Sequence, residues 1–432
     1  MAADKSDQEE LKRLKEEVEQ KEGKSIEQLY KERKQRVRDA SELRVPDRVP
    51  VAVGFSYFPA KFTGITVKDA FYDFKKWRTA YLKTAVYFQP DRLGLSFNQS
   101  GLMLETLVSK QTLWPGHGVP PNHSHQFVEG EYMKAEEYDE FLEDTTDFLI
   151  RRYFPRVYGI MEPLAGLPSL SSMLGNIPLN ELIAPEYTTM FEALVKAAHL
   201  QVEWQAELVE TNRELIELGF PAESGIGGAG APFDSISDFL RGMRGTMLDM
   251  LRLPDKLHAA IDLISRRQMK RIEALPEASE FGLSFVALHR GADGFMSNRQ
   301  FEEFYWPPLL KSINAVVKKG YTPIIFFEGD YTSRIEYLRQ LPKGKVVGKF
   351  DCSDIRRVKE VLGGHICITG NVPASLLQAG TVQEVKDYCR FLIDVVGKDG
   401  GFILEPASSL DEVNPDNLKA MIDFTKEYGV YK

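Results

Sequence analysis

The sequence predicts an α/β protein built as a single (β/α)₈ barrel with helical insertions, and two patterns lead to this prediction. Short, almost continuously apolar runs alternate with longer amphipathic segments, as in a parallel sheet whose two faces are covered by helices. There are about eight such runs, which favours a closed barrel over an open sheet. The chain has 432 residues, of which 43% are hydrophobic, and this is enough for one such core.

Each predicted strand is a short apolar run rich in β-branched and aromatic residues. The eight runs are residues 49–55, 92–97, 159–165, 281–289, 322–327, 345–350, 365–370 and 401–406. Amphipathic patterns between the later runs predict helices at 299–320, 332–342, 353–364 and 381–400. The segment between 165 and 281 has mainly helical patterns, so we expect insertions or a lid there.

Residues 1–40 differ from the rest of the chain because acidic and basic residues are interleaved along them. Leu11, Leu14 and Val18 are three or four positions apart, which predicts a charged helical N-terminal arm with a break at Gly23. The barrel is then expected to occupy residues 41–432. Two interpretations of the arm stay open: a solvated, partly frayed surface, or a docking or dimerisation element.

Net charge, hydropathy and cysteine content indicate which classes of protein this sequence does not belong to. The net charge is -9, so no general attraction to nucleic acids or anionic membranes is expected. No stretch approaches the roughly 20 apolar residues of a membrane span. The odd number of cysteines, at 352, 367 and 389, is typical of a reducing compartment and not of a disulfide framework. We therefore expect a cytoplasmic protein that acts on a small molecule.

Candidate site residues follow the predicted strands, because parallel barrels place their sites at the carboxyl ends of strands. Turn chemistry favours Gly, Asn, Asp and Ser, but not His or Glu directly after an apolar run. This selects Glu328, His289 and Asp330 as candidate catalytic residues, although a hydrogen-bonded core histidine and an ion-paired loop carboxylate are ordinary alternatives. Seven further residues at strand ends are expected to contact the substrate: Tyr57, Asn98, Arg290, Asp293, Tyr331, Phe326 and Glu405.

Two loops add candidates. The segment 114–133 holds three of the seven histidines, and its His123 and His125 are predicted to contact the substrate. A metal site and a polar surface loop are the alternatives for this segment. The glycine-rich segment 225–235 follows no clear strand, which argues against a phosphate cradle. There we expect Asp234 or Ser235 to cap the next helix.

Several segments, taken together and in order, resemble the uroporphyrinogen decarboxylase superfamily, which includes the heme-pathway decarboxylase and cobalamin-dependent methyltransferases. The resemblance covers about residues 44–432 and is strongest after about residue 225. It implies a (β/α)₈ barrel, with its cleft at the carboxyl ends of the strands, and a homodimer. The segments that carry it are RVPDRVPVAVGF (44–55), GAGAPFDSISDFLRG (228–242), SNRQFEEFYWPPLLKSINAVVKKGYTPIIFFEGD (297–330), ITGNVPASLLQAGTVQEVKDYCRFLID (368–394) and GGFILEPASSLDEVNPDNLKAMIDFTKEYG (400–429).

The chain departs from this superfamily at its metal ligands. The methyltransferase branch binds zinc through a His-x-Cys pair and a later Cys, and these positions fall on Phe326, Glu328 and Ser408 here. Zinc of the usual family type is therefore not expected, and any metal would depend on Glu328, His289 and Glu405. The heme-pathway branch holds substrate carboxylates with arginines after its first strand, where this chain has only Lys61.

Three functions stay open at this point. The first is a corrinoid-linked methyltransferase that demethylates a small substrate, with the corrinoid supplied by a partner protein and Glu328 or His289 as proton donor. The second is a decarboxylase of a porphyrinogen-like or smaller carboxylated substrate, with Arg290 and Lys61 holding carboxylates and Asp293 or Glu328 supplying the proton. The third is a non-catalytic binding protein on a barrel scaffold.

Overall fold

The computed structural model describes residues 5–94, 99–169, 182–221, 228–278 and 281–432. The described strands are numbered here in chain order. They are β1 (Ala52–Val53), β2 (Arg92–Leu93), β3 (Thr112–Pro115), β4 (Gly118–Val119), β5 (Gln126–Phe127), β6 (Leu283–Leu288), β7 (Thr322–Phe327), β8 (Val347–Phe350), β9 (Cys367–Val372) and β10 (Phe402–Pro406).

A parallel sheet forms the centre of the molecule. Five strands lie in the order β6-β7-β8-β9-β10, and β1 pairs in parallel with β2. A parallel bridge between Val51 and Leu404 joins these two groups, so seven parallel strands follow one another. The predicted α/β class is confirmed. Within the described ranges no pairing links β2 to β6, and residues 95–98, directly after β2, lie outside them.

Most predicted strands are present, but the one predicted at 159–165 is wrong. Strands occupy the runs 281–289, 322–327, 345–350, 365–370 and 401–406, whereas Gly159–Gly166 is a 3₁₀ helix. Pro163 lies inside this helix and has no backbone N–H to give to a sheet. The apolar side chains of the run instead form a small cluster in which Leu164 contacts Met190 of a neighbouring helix.

Helices fill the connections between strands, and their bounds follow in chain order. The α-helices are Lys5–Glu22, Ile26–Ser41, Phe58–Thr63, Asp69–Tyr72, Phe74–Phe88, Gly101–Leu107, Tyr138–Glu143, Thr145–Phe148, Phe154–Val157, Pro185–Glu217, Pro232–Ile236, Gly242–Arg252, Pro254–Glu273, Asn298–Gln300, Trp306–Lys318, Ile355–Leu362, Ala374–Ala379, Val382–Leu392 and Pro415–Tyr428. The 3₁₀ helices are Ala135–Glu137, Gly159–Gly166 and Thr332–Gln340, and the π-helical turns are Leu149–Tyr153, Ser237–Arg241, Phe301–Tyr305 and Ile393–Gly397. Within the described ranges, none of these helices is long and apolar enough to span a membrane.

Helix ends follow the local chemistry of the sequence. The Asp354 side chain accepts hydrogen bonds from the backbone N–H groups of Arg356 and Arg357 and so caps the helix Ile355–Leu362 at its amino end. Thr381 and Glu384 form a capping box at the start of the helix Val382–Leu392. These caps fix where the helices that cover the later strands begin.

The two N-terminal helices pack against the rest of the molecule. Leu14, Val18 and Leu29 are buried in the main core. Val37 and Ala40 cover the amino ends of the parallel strands, in an apolar layer whose other members are Ala52, Leu283, Ile324, Val347, Cys367 and Ile403. This packing agrees with the docking interpretation of the N-terminal segment, while its division from the barrel at residue 40 stays a prediction.

A buried ion cluster fixes the second of these helices. Asp91 accepts hydrogen bonds of 2.7 Å from both Arg36 and Arg48 and one of 2.8 Å from the Val51 backbone N–H. Burial by itself would raise the pKa of Asp91, but the two guanidinium groups outweigh burial and lower that pKa well below its usual range. Asp91 therefore stays ionised at the amino end of the sheet.

Candidate functional site

A cavity of about 820 Å³ lies inside the curve of the parallel sheet. Residues from β2, β6, β7, β8 and β10 line it together with Gly54, which directly follows β1, so these strands share one interior. At the amino ends of the strands the cavity is bounded by the apolar layer that Val37 and Ala40 cover. The polar groups that line the cavity lie nearer the carboxyl ends of the strands. Of the predicted site residues, five line this cavity: Tyr57, His125, His289, Phe326 and Glu405.

The cavity floor is a buried ionic cluster around Glu405. Lys349 donates to Glu405 Oε1 at 2.7 Å, and Arg92 donates to Oε2 at 3.0 Å. The Thr369 hydroxyl also donates to Oε2 at 3.0 Å. Burial would raise the pKa of Glu405, but Lys349 and Arg92 lower it, so the carboxylate stays ionised. Neighbouring strands supply these groups because their inward-facing positions are in register.

Aromatic side chains form the walls above this floor. The rings of Phe285 and Phe326 stack with centroids 6.3 Å apart, and Lys349 Nζ is 5.4 Å from the centroid of Phe326. Phe127 and Phe239 also line the cavity and make an edge contact at 5.7 Å. The cavity thus combines apolar walls with a small number of fixed polar groups, as small-molecule sites commonly do.

His289 lies at the carboxyl end of β6 and is held by a carboxylate. Its Nδ1 donates to Asp238 Oδ2 at 2.5 Å, while its Nε2 is 3.9 Å from Glu328 Oε2, beyond hydrogen-bond range. The hydrogen bond to Asp238 is the main cause that raises the pKa of His289, against the opposing effect of burial. Asp238 is in the π-helical turn Ser237–Arg241, and such turns often occur at functional sites. The arrangement leaves Nε2 as the free proton-bearing atom.

Asp234 supports this histidine from below and does not act as a helix cap. Its carboxylate accepts hydrogen bonds from the backbone N–H groups of His289 and Arg290 and from the Tyr305 hydroxyl. The prediction that Asp234 or Ser235 caps a helix is therefore wrong, because both lie inside the helix Pro232–Ile236, whose N-cap is Ala231, and Asp234 bonds to the end of β6. Burial raises the pKa of Asp234 to about 6.

Tyr57 and His125 form a second polar pair in the cavity. The Tyr57 hydroxyl and His125 Nδ1 are 2.8 Å apart. Burial and the nearby Asp411 raise the pKa of Tyr57, and burial lowers the pKa of His125. Tyr57 consequently donates its proton to a neutral imidazole, and His125 carries its own proton on Nε2.

Glu328 lies at the rim, and the structure gives it a different setting from the one expected. Its side chain is 53% exposed, and it does not line the cavity. Phe326 points into the cavity, while Phe327 packs in the core against Phe350 and Tyr331. The two phenylalanines of β7 therefore leave Glu328 open to solvent.

The other predicted residues that the structure describes do not line the cavity, and most of them have structural partners around this rim. Asp330 accepts hydrogen bonds from Thr332 within a turn, and Asp293 accepts from Ser333 and pairs with Arg334. Arg290 pairs with Glu129 and Asp238, Tyr331 is fully buried, and His123 is exposed. Asn98 lies outside the described residues.

The donor set does not suit a zinc thiolate. Phe326 has no lone pair to give to a metal, and Ser408 supplies a hydroxyl where the superfamily has a cysteine. Both oxygens of Glu405 are already engaged by Lys349, Arg92 and Thr369. Within the described ranges no three His, Cys, Asp or Glu side chains form a group that could hold a metal ion.

Sequence reasoning missed four residues of this site: Asp234, Asp238, Arg92 and Lys349. Lys349 and Arg92 carried a signal, because a charged residue inside or at the edge of an apolar run is unusual for a buried strand. Asp234 and Asp238 carried none beyond their place in the Pro-Phe segment, since they are more than 50 positions from His289 and meet it only through the fold.

Comparison with known proteins gives the family. The model of the family described as Uroporphyrinogen decarboxylase (URO-D) matches residues 187–428, which is more than half of the chain. The chain therefore belongs to the uroporphyrinogen decarboxylase family. The suspected resemblance is confirmed.

Curated relatives match over shorter lengths. The chain is 26% identical over 208 residues to a uroporphyrinogen decarboxylase from Flavobacterium johnsoniae, a match that covers 47% of this chain and 59% of that protein. It is 25% identical over 183 residues to a uroporphyrinogen decarboxylase from Chlorobium luteolum, covering 41% and 51%. The chain thus spans between about half and three fifths of the length of these curated relatives.

A solved structure gives a longer match at lower identity. A methyltransferase from Methanosarcina mazei aligns with a TM-score of 0.60 over 92% of this chain and 98% of that one, at 15% identity. At this identity the likeness concerns the fold. Together, the comparisons show the uroporphyrinogen decarboxylase family, to which the solved structure adds a likeness of fold.

Proposed function

We propose that the chain is a methyltransferase of the uroporphyrinogen decarboxylase family that removes a methyl group from a small substrate, with a corrinoid supplied by a partner protein as the methyl acceptor. The observation that carries this proposal is the His289–Asp238 pair, which presents a free imidazole Nε2 at the cavity. The proposal takes the curved sheet as a closed (β/α)₈ barrel. The strand order and the shared interior support that closure.

His289 supplies the proton that demethylation requires. When the bond between the methyl carbon and its oxygen or sulfur breaks, the heteroatom keeps the electron pair and takes the proton from Nε2. Asp238 raises the pKa of His289, so more imidazolium is present at neutral pH, and it also fixes the orientation of the ring. Asp234 holds the backbone of His289, which keeps the donor in place.

The walls and floor suit a small, partly apolar substrate. Phe285 and Phe326 provide a flat apolar surface, and Tyr57 and His125 provide a polar pair on another wall. A cavity of about 820 Å³ lies within the size range of sites for small molecules. A substrate that fills the cavity would displace water from these walls, which would strengthen electrostatic interactions inside it.

The cavity mouth suits contact with a large macrocycle. Phe127 and Phe239 line the cavity and are nevertheless 44% and 46% exposed. Leu102 and Val108, which flank the cavity-lining residues Met103 and Leu107, are exposed as well. Exposed apolar side chains at a site commonly mark a binding surface. A reduced corrinoid, when bound, supplies a nucleophile that accepts the methyl group.

Decarboxylation is the second candidate, and the curated relatives named uroporphyrinogen decarboxylase favour it. The residues predicted for it are not in place, because Arg290 pairs with Glu129 and Lys61 pairs with Glu412, both outside the cavity. The cations that line the cavity are Arg92 and Lys349. Either of these two could hold a carboxylate, so this reaction is the alternative outcome of the test.

The test is an absorbance assay with cobalamin in its reduced state and a panel of methyl ethers and thioethers. A spectral change that depends on enzyme and substrate, together with release of the demethylated product, supports methyl transfer. No change across a broad panel, or release of carbon dioxide from carboxylated substrates in its place, would overturn the proposal.

His289→Gln tests the proton donor itself. We expect the rate of methyl transfer to fall roughly 100-fold or more, because a general acid typically accelerates a reaction by that factor. His258→Gln is the matched control, since His258 is also half-exposed and faces a carboxylate, Glu303 at 3.4 Å, but lies outside the cavity. If the two variants lose activity equally, His289 is not the donor.

A further inference from the structure

Lys349 is a charged residue in the middle of the buried parallel sheet. It belongs to β8 between Gly348 and Phe350, and its side chain is only 12% exposed. A lysine at such depth is costly unless its charge is compensated. Its side chain lines the cavity, so compensation can come from a ligand as well as from the protein.

The protein compensates this charge with a carboxylate that it shares with a second cation. Glu405 is one carboxylate that serves two cations, with Oε1 bonded to Lys349 and Oε2 bonded to Arg92 and Thr369. In the part of the chain that the structure describes, the carboxylate paired with Lys349 is Glu405 alone, and Glu405 is shared with Arg92. An anion in the cavity would be a second acceptor for this ammonium group.

The ammonium group has hydrogen-bonding capacity left for that anion. It carries three N–H donors, and the hydrogen bond to Glu405 uses one of them. Ser408 and Ser409 also line the cavity and can add hydroxyl donors. Nζ lies near the face of Phe326, which stacks with Phe285, so a flat apolar body beside the ammonium would contact both rings.

We infer that Lys349 is an anion-binding subsite of the cavity, and that the substrate is a small aromatic compound carrying a carboxylate or a comparable anionic group. The anionic group pairs with Lys349 at the floor, and the aromatic ring lies against Phe326 and Phe285. That the bound compound is a substrate rests on the proposed function. The anion site itself does not depend on which reaction the protein catalyses.

Binding of two simple probes to the full-length protein tests the site. Benzoate and benzyl alcohol have the same ring, but only benzoate carries a charge. By isothermal titration calorimetry we expect benzoate to bind at least about tenfold more tightly than benzyl alcohol, because a buried charged pair discriminates strongly against a neutral partner. Equal affinities, or no binding of benzoate, would overturn the inference.

A pair of lysine variants then locates the site. We expect Lys349→Met to lose the preference for benzoate and Lys349→Arg to keep part of it. Lys359→Met is the matched control, because Lys359 is also largely buried, at 17% exposure, but bonds to the Val396 backbone outside the cavity. An unchanged preference in Lys349→Met, checked for folding by circular dichroism, contradicts the assignment.

The benzoate experiment tests the anion site and the cobalamin assay tests the proposed reaction, so the two proposals can fail independently. Benzoate binding without any methyl transfer would keep the anion site and reject the proposed reaction. Methyl transfer from neutral ethers without any preference for benzoate would keep the reaction and reject the anion site.

Discussion

At the scale of single residues, the proton affinity of His289 depends on a neighbour that contacts it through the other ring nitrogen. Asp238 bonds to Nδ1, and the atom that would meet the substrate is Nε2. Asp238 therefore acts as a positioning residue, setting both the ring orientation and the pKa of His289. Its effect can be separated from that of the imidazole by the pH dependence of the rate.

Asp238→Asn should shift the pH profile. The raised pKa of His289 keeps the proton donor charged to higher pH, so the rate falls as the pH rises through that pKa. Removing the Asp238 charge removes the main cause of the raised pKa, and the fall in rate should move to lower pH. Rate measurements between about pH 5 and 9, a range spanning the usual histidine pKa, check this.

Asp423→Asn is the control for this profile, because Asp423 is exposed on the last helix and pairs with Lys419. Its profile should match the parent protein. A purely structural role for Asp238 would lower the rate equally at all pH values and leave the shape of the profile unchanged.

The sequence predicted His289 and Glu328 alike as site residues, but of the two only His289 lines the cavity, and the reason is geometric. Alternation puts Ile324 and Phe326 on the inward face of β7 and would put Glu328 there as well, but the strand ends at Phe327, so Glu328 lies beyond it at the exposed rim. The partners of His289 come from a segment more than 50 residues earlier in the chain. No local pattern reveals such a contact. In contrast, Lys349 is visible in the sequence as a charged residue inside the apolar run 345–350.

At the scale of elements, the turn after β6 is tightly packed. A Cβ built on Gly291 would lie 2.7 Å from the Tyr331 hydroxyl and 2.7 Å from the ring of Tyr305. Tyr305 in turn donates to Asp234, which holds the backbone of His289. The turn thus connects the packing of the following helical segment to the position of the candidate proton donor.

Gly291→Ala should destabilise the protein by about 1–3 kcal/mol, the usual cost of overpacking. It should also lower activity, because Tyr305 must move. Urea denaturation measures the first effect and the cobalamin assay the second. Gly294→Ala, three positions on, is the matched control, since a Cβ there meets nothing within 4 Å. Equal stability of the two variants would show that the turn relaxes freely.

Element types were predictable where periodicity was strong and failed where it was ambiguous. The strands from β6 to β10 and the helices between them agree with the sequence patterns. The run 159–165 has strand-like composition but contains Pro163 and packs against a long helix. The π-helical turn that presents Asp238 has no sequence signature, because it arises from tertiary packing of the segment Ser237–Arg241.

At the scale of the whole molecule, the N-terminal helices join the ends of the chain to the sheet. Arg36 reaches Asp91 beside β2, and Lys426 near the C-terminus contacts Glu22. The helix Ile26–Ser41 covers the amino ends of the strands through Val37 and Ala40. The sequence showed the charge pattern of this segment but not its partners, since Arg36 and Asp91 are 55 positions apart.

Asp91→Ala should destabilise the protein by about 3–5 kcal/mol, because it leaves Arg36 and Arg48 buried without their shared carboxylate. Chemical denaturation measures the change in the free energy of unfolding. Asp423→Ala, at an exposed ion pair, should cost at most about 1 kcal/mol. A small effect at Asp91 would mean that water or other groups replace its role.

Asp91 should also contribute to the loss of protein stability at acidic pH. The pKa of Asp91 is lowered in the folded state, so its stabilisation is complete above the ordinary aspartate pKa of about 3.9 and is lost as the pH falls further. The parent protein should therefore lose stability more steeply than Asp91→Ala below about pH 4. Parallel slopes for the two proteins would contradict this.

The covered amino end of the sheet has a kinetic consequence. Among the described residues, the apolar layer under Val37 and Ala40 closes the interior on that side, so a small molecule would enter and leave the cavity at the mouth beside Phe127 and Phe239. Substrate entry and product release would then use the same opening. If the proposed corrinoid partner binds over this mouth, it would trap the molecule inside, so our proposal predicts an order of events: the small molecule enters first, the partner binds second, and the small molecule is exchanged only after the partner leaves.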